Sequence, residues 1–318
     1  MNWISALNNA LEYIENNLEN DVKIKKIAQI CLCSEYNVQR VFSIISGVTL
    51  GEYIRNRRLS KAAVDIRETN MRIIDIAFKY NYESADAFSK AFKNFHGISP
   101  KDGRVRSNEL KTYPKLHFSM IIKGGKEMKN RIAEKGKLRV IGMKRTYKNV
   151  EEGMENIPKF WTEFNASKEC TEMCSKMDGE LKGFLGLCIP HETGAGYDYM
   201  ICINSSAEAG GELEEYEIPD AKWMIFEAKG KLPESVQSVT KQIYEEVLTG
   251  SEYKHDNKPD FELYLSGDIE NEDYITFKRT GDIYVLFYEK AFTRSGRDIG
   301  GHRLGLGTGQ RHASQDQI

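Results

Sequence analysis

The sequence predicts a multidomain chain: an all-α double helix-turn-helix N-terminal domain followed by an α+β domain with an antiparallel sheet. Three observations predict it. Through the first hundred residues apolar groups recur at i, i+3, i+4 and i+7, the period of an amphipathic helix. From Lys137 short alternating runs replace that pattern. The charge divides as well. Residues 1–108 hold 16 Lys and Arg against 12 Asp and Glu, while residues 128–290 hold 21 against 31. A basic front and an acidic back fit a nucleic-acid reader attached to something else.

The bounds are simple. At 318 residues the chain has room for two ordinary domains. It holds no run of about 18 apolar residues, the length a membrane helix needs. Its start, MNWISALNNALEYIENN, lacks the basic n-region and apolar core of a signal peptide, so a cytoplasmic chain is expected. Six cysteines fit a reducing compartment. Cys170 and Cys174 have zinc-ligand spacing, yet neither a His nor a second close Cys pair completes a set. Idle thiols, no metal and no cofactor are expected.

The front reads as helices in series. Residues 3–18 are amphipathic, with Trp3, Leu7, Leu11, Ile14 and Leu18 on the apolar side. Val22–Gly47 follows as a helix-turn-helix. Ile24, Ile27 and Ala28 mark its first helix, Cys31–Cys33 its turn, and Ser34 the N-cap of its second helix over 35–46. Val38, Val41, Phe42 and Ile45 face inward there, leaving Tyr36, Asn37, Gln39 and Arg40 outward. Asn and Gln can bind adenine edges bidentately, and Arg can do so to guanine. Thr49 caps a long helix reaching about Thr69, roughly 30 Å by its rise per residue. That is close to one turn of B-DNA, about 34 Å, so two reading helices could sit in successive major grooves. Arg55, Arg57 and Arg58 are candidate phosphate contacts on it. Ile73–Pro100 makes the second pair. Ile73, Ile76, Ala77 and Tyr80 stripe one helix, and Ala85, Phe88, Phe92 and Phe95 the next. The outer face of that second helix carries Asp86, Ser89, Lys90 and Lys93. Pro100 opens a last short helix.

Over residues 5–106 these pieces resemble the paired helix-turn-helix domain of the AraC/XylS family of transcription regulators. The motifs are SEYNVQRVFSIISGVTLGEYIRNRRLSKA, IIDIAFKYNYES and FSKAFKNFHGISPKDGR. Two positions depart from the family pattern. Asn81-Tyr82 replaces a Gly-Phe turn, and Asn tolerates the left-handed backbone required there. Gly103 stands where the family has Tyr. The resemblance implies double-stranded DNA as partner and RNA polymerase as a further one. It implies base-edge contacts from Tyr36, Asn37, Gln39 and Arg40, then from Ala85, Asp86, Ser89 and Lys90; Arg55 and Lys93, from their places on the helices, are left for phosphates. Ala85 and Asp86 are poor donors, so the second helix should read less sequence than the first.

Residues 109–136 read as a connector, with HFSMII as a potential edge strand and Gly124-Gly125 giving slack. Residues 137–290 then read as two similar strand-helix-strand halves, 137–203 and 213–289. Strands are expected at 137–147, 183–189, 197–203, within 216–230, and at 259–267, and helices at 151–166 and 232–248. YVLFY (284–288) can serve as a last strand. Residues 291–318 read as a disordered tail, and its Gly305–Gly309 run lacks the strand and helix of a phosphate loop.

VIGM, FWTEF, IPDAKWMIFEAKG and PDFELY make the back resemble the GyrI-like small-molecule-binding domain, whose pocket lies between two halves. The resemblance implies that Glu262 faces a ligand cleft, with Trp161, Tyr199, Trp223, Phe226 and Tyr264 as candidate walls. A buried carboxylate needs a partner, and a cationic or amphipathic effector would supply one. The expected function is a one-component, DNA-binding transcription regulator, not an enzyme, that binds a small-molecule effector. Two alternatives stay open: a hydrolase in which Glu262 activates water with help from Tyr264, and a module that sequesters a protein partner.

Overall fold

The computed structural model describes residues 3–119, 130–247, 253–255, 258–280 and 283–285. Among the described residues the front has seven α-helices: α1 (Trp3–Asn16), α2 (Ile24–Cys31), α3 (Glu35–Ser46), α4 (Leu50–Glu68), α5 (Ile73–Lys79), α6 (Ala85–His96) and α7 (Pro100–Val105). Local chemistry sets their ends. Ser34, Thr49, Ser84 and Ser99 each cap a helix by accepting from the backbone N–H three residues on. Gly47 and Gly97 end α3 and α6 in the left-handed conformation that a Cβ disfavours. The two turns do without glycine. Leu32 holds φ at 54° and Asn81 at 66°. At Asn81 this is the conformation expected of the Asn-Tyr turn.

Two apolar clusters hold the front. One joins α1, α2, α3 and the start of α4 around Leu7, Leu11, Ile14, Phe42 and Tyr53. The other joins the end of α4 to α5 and α6 around Ile66, Ile76, Phe88 and Phe92. Helix α4 belongs to both and links the two helix-turn-helix units. Two of its arginines are structural rather than free for phosphate. Arg57 forks onto Glu15 at 2.7 Å for each bond, and Arg58 donates to the carbonyls of Leu18 and Asn20. The first part of the expected connector is sewn to the front. Asn8 exchanges two hydrogen bonds with the Phe118 backbone, and Tyr113 and Phe118 pack on the first cluster.

The back is an eight-stranded, wholly antiparallel sheet. In chain order its strands are β1 (Asn130–Lys135), β2 (Leu138–Tyr147), β3 (Phe184–Pro190), β4 (Tyr197–Asn204), β5 (Glu214–Ile218), β6 (Ala221–Lys229), β8 (Asp260–Tyr264) and β9 (Ile275–Thr280). Across the sheet they run β1-β6-β9-β8-β3-β4-β2-β5. A small separate pair joins β7 (Tyr253–His255) to β10 (Ile283–Val285). Helices α8 (Val150–Asn165), α9 (Lys168–Ser175) and α10 (Glu234–Gln242) complete it, α10 running on into a π-helical turn over Ile243–Val247.

Several expectations change here. Strand β1 falls inside the segment read as connector and pairs with β6. Strands β5 and β6 are consecutive in sequence but lie in opposite halves of the sheet, because β5 adds to β2 and β6 to β9. Helix α9 and strand β9 were not expected. The halves meet where β3 pairs with β8. Of the expected strand 284–288, residues 286–288 lie outside the described residues, as does the tail from 291.

Candidate functional site

Strand parity decides what can line a cleft on this sheet, because successive side chains point to opposite faces. Following the register across six strands, Met143, Ile201, Gly186, Glu262, Lys278 and Phe226 form one cross-strand row. Tyr199, Cys188 and Asp260 form the adjacent row on the same face. Tyr264 shares it too, two residues beyond Glu262. Helix α8 lies over this face. Its Trp161 donates from Nε1 to the Tyr199 hydroxyl at 2.9 Å and meets the Tyr264 ring edge-on at 5.2 Å. Gly186 makes room beneath, since a Cβ there would sit 2.3 Å from the Tyr199 hydroxyl.

Five of the six candidate ligand residues therefore share one face: Glu262, Trp161, Tyr199, Tyr264 and Phe226. Trp223 does not. It stands at odd spacing from Phe226 in the same strand, and its ring packs on Phe261, 5.1 Å away in the core beneath the sheet.

At the centre of this face is a charge cluster that the sequence reading did not contain. Lys278, 1% exposed, lies 3.2 Å from Asp260 and closer still to Glu262. Burial alone would lower its pKa, but the two carboxylates outweigh that and hold it above the ordinary lysine value. Glu262 was expected to await a cation from outside, and the chain supplies one. Burial likewise pushes the neighbouring Cys188 thiol up to about 12, which makes it a poor nucleophile.

The fourth charged group comes from the front domain. Arg40 of α3 forks onto Asp260, with Nη1 to Oδ1 at 2.8 Å and Nη2 to Oδ2 at 2.7 Å. The same Nη1 reaches the Tyr36 hydroxyl at 3.3 Å. Burial opposes the guanidinium charge, and Asp260 more than restores it. The Tyr36 ring lies against Tyr197 of β4, centroids 4.8 Å apart, and belongs to the back domain's apolar cluster with Tyr199 and Phe160. Asn37 and Gln39 are buried as well. Helix α3 touches α8, α10 and the π-helical turn, so it lies over the junction of the two half-sheets. Of the four residues expected to face DNA from α3, Tyr36 and Arg40 engage this face of the back domain, and Asn37 and Gln39 are buried with them. A local helix pattern shows which side of α3 its own domain leaves uncovered; it cannot show a second surface covering that side.

The remaining DNA-facing candidates are divided. Arg55 meets Glu151 of α8 at 3.1 Å, both partly exposed. On α6 Asp86, Lys90 and Lys93 are exposed and Ser89 half-buried. Among the described residues no cluster of metal-ligating side chains occurs, and no helix is long and apolar enough to cross a membrane.

Comparison with known proteins places both parts. A helix-turn-helix domain model matches residues 27–106. The transcriptional activator AarP of Providencia stuartii is 45% identical over 96 residues, which cover 30% of this chain and 71% of AarP. The chain belongs to the AraC family of transcription regulators. The multiple antibiotic resistance protein MarA of Escherichia coli is 31% identical over 117 residues, covering 36% of this chain and 92% of MarA. Residues 131–285 match the model of an integron-associated effector binding protein, so this AraC-family chain carries an effector-binding domain of GyrI-like type behind its DNA-binding domain. A solved structure of SAV2435 bound to tetraphenylphosphonium aligns over 51% of this chain and 98% of that one, with 27% identity and a TM-score of 0.47.

Proposed function

We propose that this regulator senses an organic cation in the cleft formed by α8, α10 and the β3–β8 junction. The observation that carries the reading is the Asp260–Lys278–Glu262 cluster beneath Trp161, Tyr199 and Tyr264. The back domain's two carboxylates share one buried lysine, so its own groups sum to a negative charge, which Arg40 of α3 balances in this structure. Aromatic walls around a net negative site suit a cation that brings apolar surface with it. Phe226, on the row of Glu262 and Lys278, adds to that wall.

In this reading the domain binds its effector without turning it over. Lys278 engages the carboxylate that a hydrolase would turn toward water, and Cys188 is too basic a thiol to serve as nucleophile. Once α3 is free of the back domain, the DNA-facing set is α3 with Tyr36, Asn37, Gln39 and Arg40, α6 with Ser89, Lys90 and Lys93, and Arg55 on α4. Bound at a promoter, the chain would have RNA polymerase as its further partner.

The test uses two ions of one shape and opposite charge, tetraphenylphosphonium and tetraphenylborate, with thermal shift and calorimetry on the full chain. Ligand that binds the folded state stabilises it by mass action. The phosphonium should raise the melting temperature of the wild type and bind Glu262→Gln at least tenfold more weakly, and the borate should do neither. Equal stabilisation by both ions would refute a charge-selective cleft.

A further inference from the structure

Helix α3 presents the cleft with a cation and an aromatic ring at once. Arg40 sits on Asp260, both nearly buried. Tyr36 fills the apolar space beside Tyr197. With Arg40 in place the site is balanced, Asp260 and Glu262 against Lys278 and Arg40. Withdrawing α3 leaves one uncompensated carboxylate and uncovers the Tyr197 ring.

We infer that α3 is the cleft's own occupant in the DNA-free chain, and that a cationic effector competes with it and releases it for DNA. The inference rests on the cation reading above. Three considerations carry it. The face of α3 that is buried holds the residues expected to read bases, and a helix cannot present that face to a major groove and to the cleft together. The groups α3 contributes, a delocalised cation and a ring, have the chemistry proposed for the effector. An aromatic or amphipathic cation would replace Arg40 on Asp260 and Tyr36 on Tyr197, so α3 defines the effector class by what must displace it. Finally, only one of the two readers is covered. Lys90 and Lys93 of α6 stay exposed, so the effector-free chain keeps a weak hold on phosphates and gains its base readout when α3 leaves.

The coupling must run both ways: effector tightens DNA binding and DNA tightens effector binding by the same factor. An effector acts here solely through its preference for the open state over the closed one.

The experiment has two arms on the full-length chain. In the first, the dissociation constant of tetraphenylphosphonium is measured for wild type, Arg40→Met and Tyr36→Ala. Loss of the tethered competitor should tighten cation binding by about fivefold or more, the lower end of ordinary coupling. In the second, without any cation, binding to a duplex selected from random sequence by the full chain is measured for wild type, Asp260→Asn and Tyr197→Leu. These substitutions loosen α3 from the cleft side and leave the DNA-facing set intact, so they should bind the duplex more tightly. If the wild type binds the cation and both α3 variants bind it equally well, competition is overturned while the cation reading stands. If no chain binds the cation, that reading falls and the duplex arm alone decides. There, no tightening in either cleft variant overturns the covering of α3.

Discussion

Lys278→Met is the perturbation whose consequence the geometry fixes most closely. The lysine is 1% exposed, 3.2 Å from Asp260 and in contact with Glu262. Methionine keeps most of the stem and removes the charge. Asp260 then retains Arg40, while Glu262 is left beside another carboxylate with its cation gone. Breaking a buried pair by deleting one partner costs about 3–5 kcal/mol. At 2–4 °C per kcal/mol for a domain of this size, the melting temperature should fall by on the order of 10 °C. The pH dependence gives a second signature. In the variant an uncompensated carboxylate holds a proton more readily when folded than when unfolded. Its folded pKa is then the higher one, so the folded state binds more protons and the lost stability returns as pH falls toward the carboxylate range. Adding Glu262→Gln to Lys278→Met should recover most of the loss at neutral pH. The assay is thermal unfolding of wild type, single and double variants at neutral and mildly acidic pH. A single variant within about 1 kcal/mol of wild type, or a double variant no better than the single, would refute the charge argument.

Other expectations follow from the same contacts. Gly186→Ala would push a Cβ to within 2.3 Å of the Tyr199 hydroxyl. Overpacking of that kind costs about 1–3 kcal/mol, and the displaced Trp161 should change its fluorescence; an unaltered melt and emission would contradict the packing. The buried His96 ring accepts from the Lys111 N–H at Nδ1 and so donates from Nε2 to the Leu59 carbonyl. Burial lowers its pKa from 6.5, so the unfolded chain protonates first and stability falls as pH drops below about 6.5. His96→Gln should flatten that slope in a melting series, and an unchanged slope would assign it elsewhere. Lys90→Ala should lower the slope of log affinity against log salt by about one, with little effect on sequence preference; a full slope in the variant would mean that Lys90 meets no phosphate.

Most of the front was legible because its signals are local. Caps at Ser34 and Thr49, apolar spacing through α1 to α6 and the Asn81 turn all lie within a few residues of what they specify. The cleft was partly legible. PDFELY places Asp260, Glu262 and Tyr264 on one face by alternation alone, so the second carboxylate could have been named beside the first. The same rule excludes Trp223 and Phe226 as walls of one cleft, since residues three apart in a strand face opposite ways. Lys278 was harder to see. It meets Glu262 through the register of β8 and β9, which depends on the turn between them. The engagement of Arg40 with Asp260, 220 residues apart, has no local signal at all.

The sharing of Tyr36 between domains bears on the order of assembly. The helices of the front domain are complete in sequence by residue 106, while Asp260 and Lys278 come more than 150 residues later. At roughly 5–20 residues per second, synthesis leaves the front without its cover for on the order of 10 to 30 s. Each nascent chain thus has a reading helix before it has a cleft. The back domain's apolar cluster in turn includes Tyr36 of α3. Docking of α3 on Asp260 therefore waits on synthesis of the last strands of the back domain.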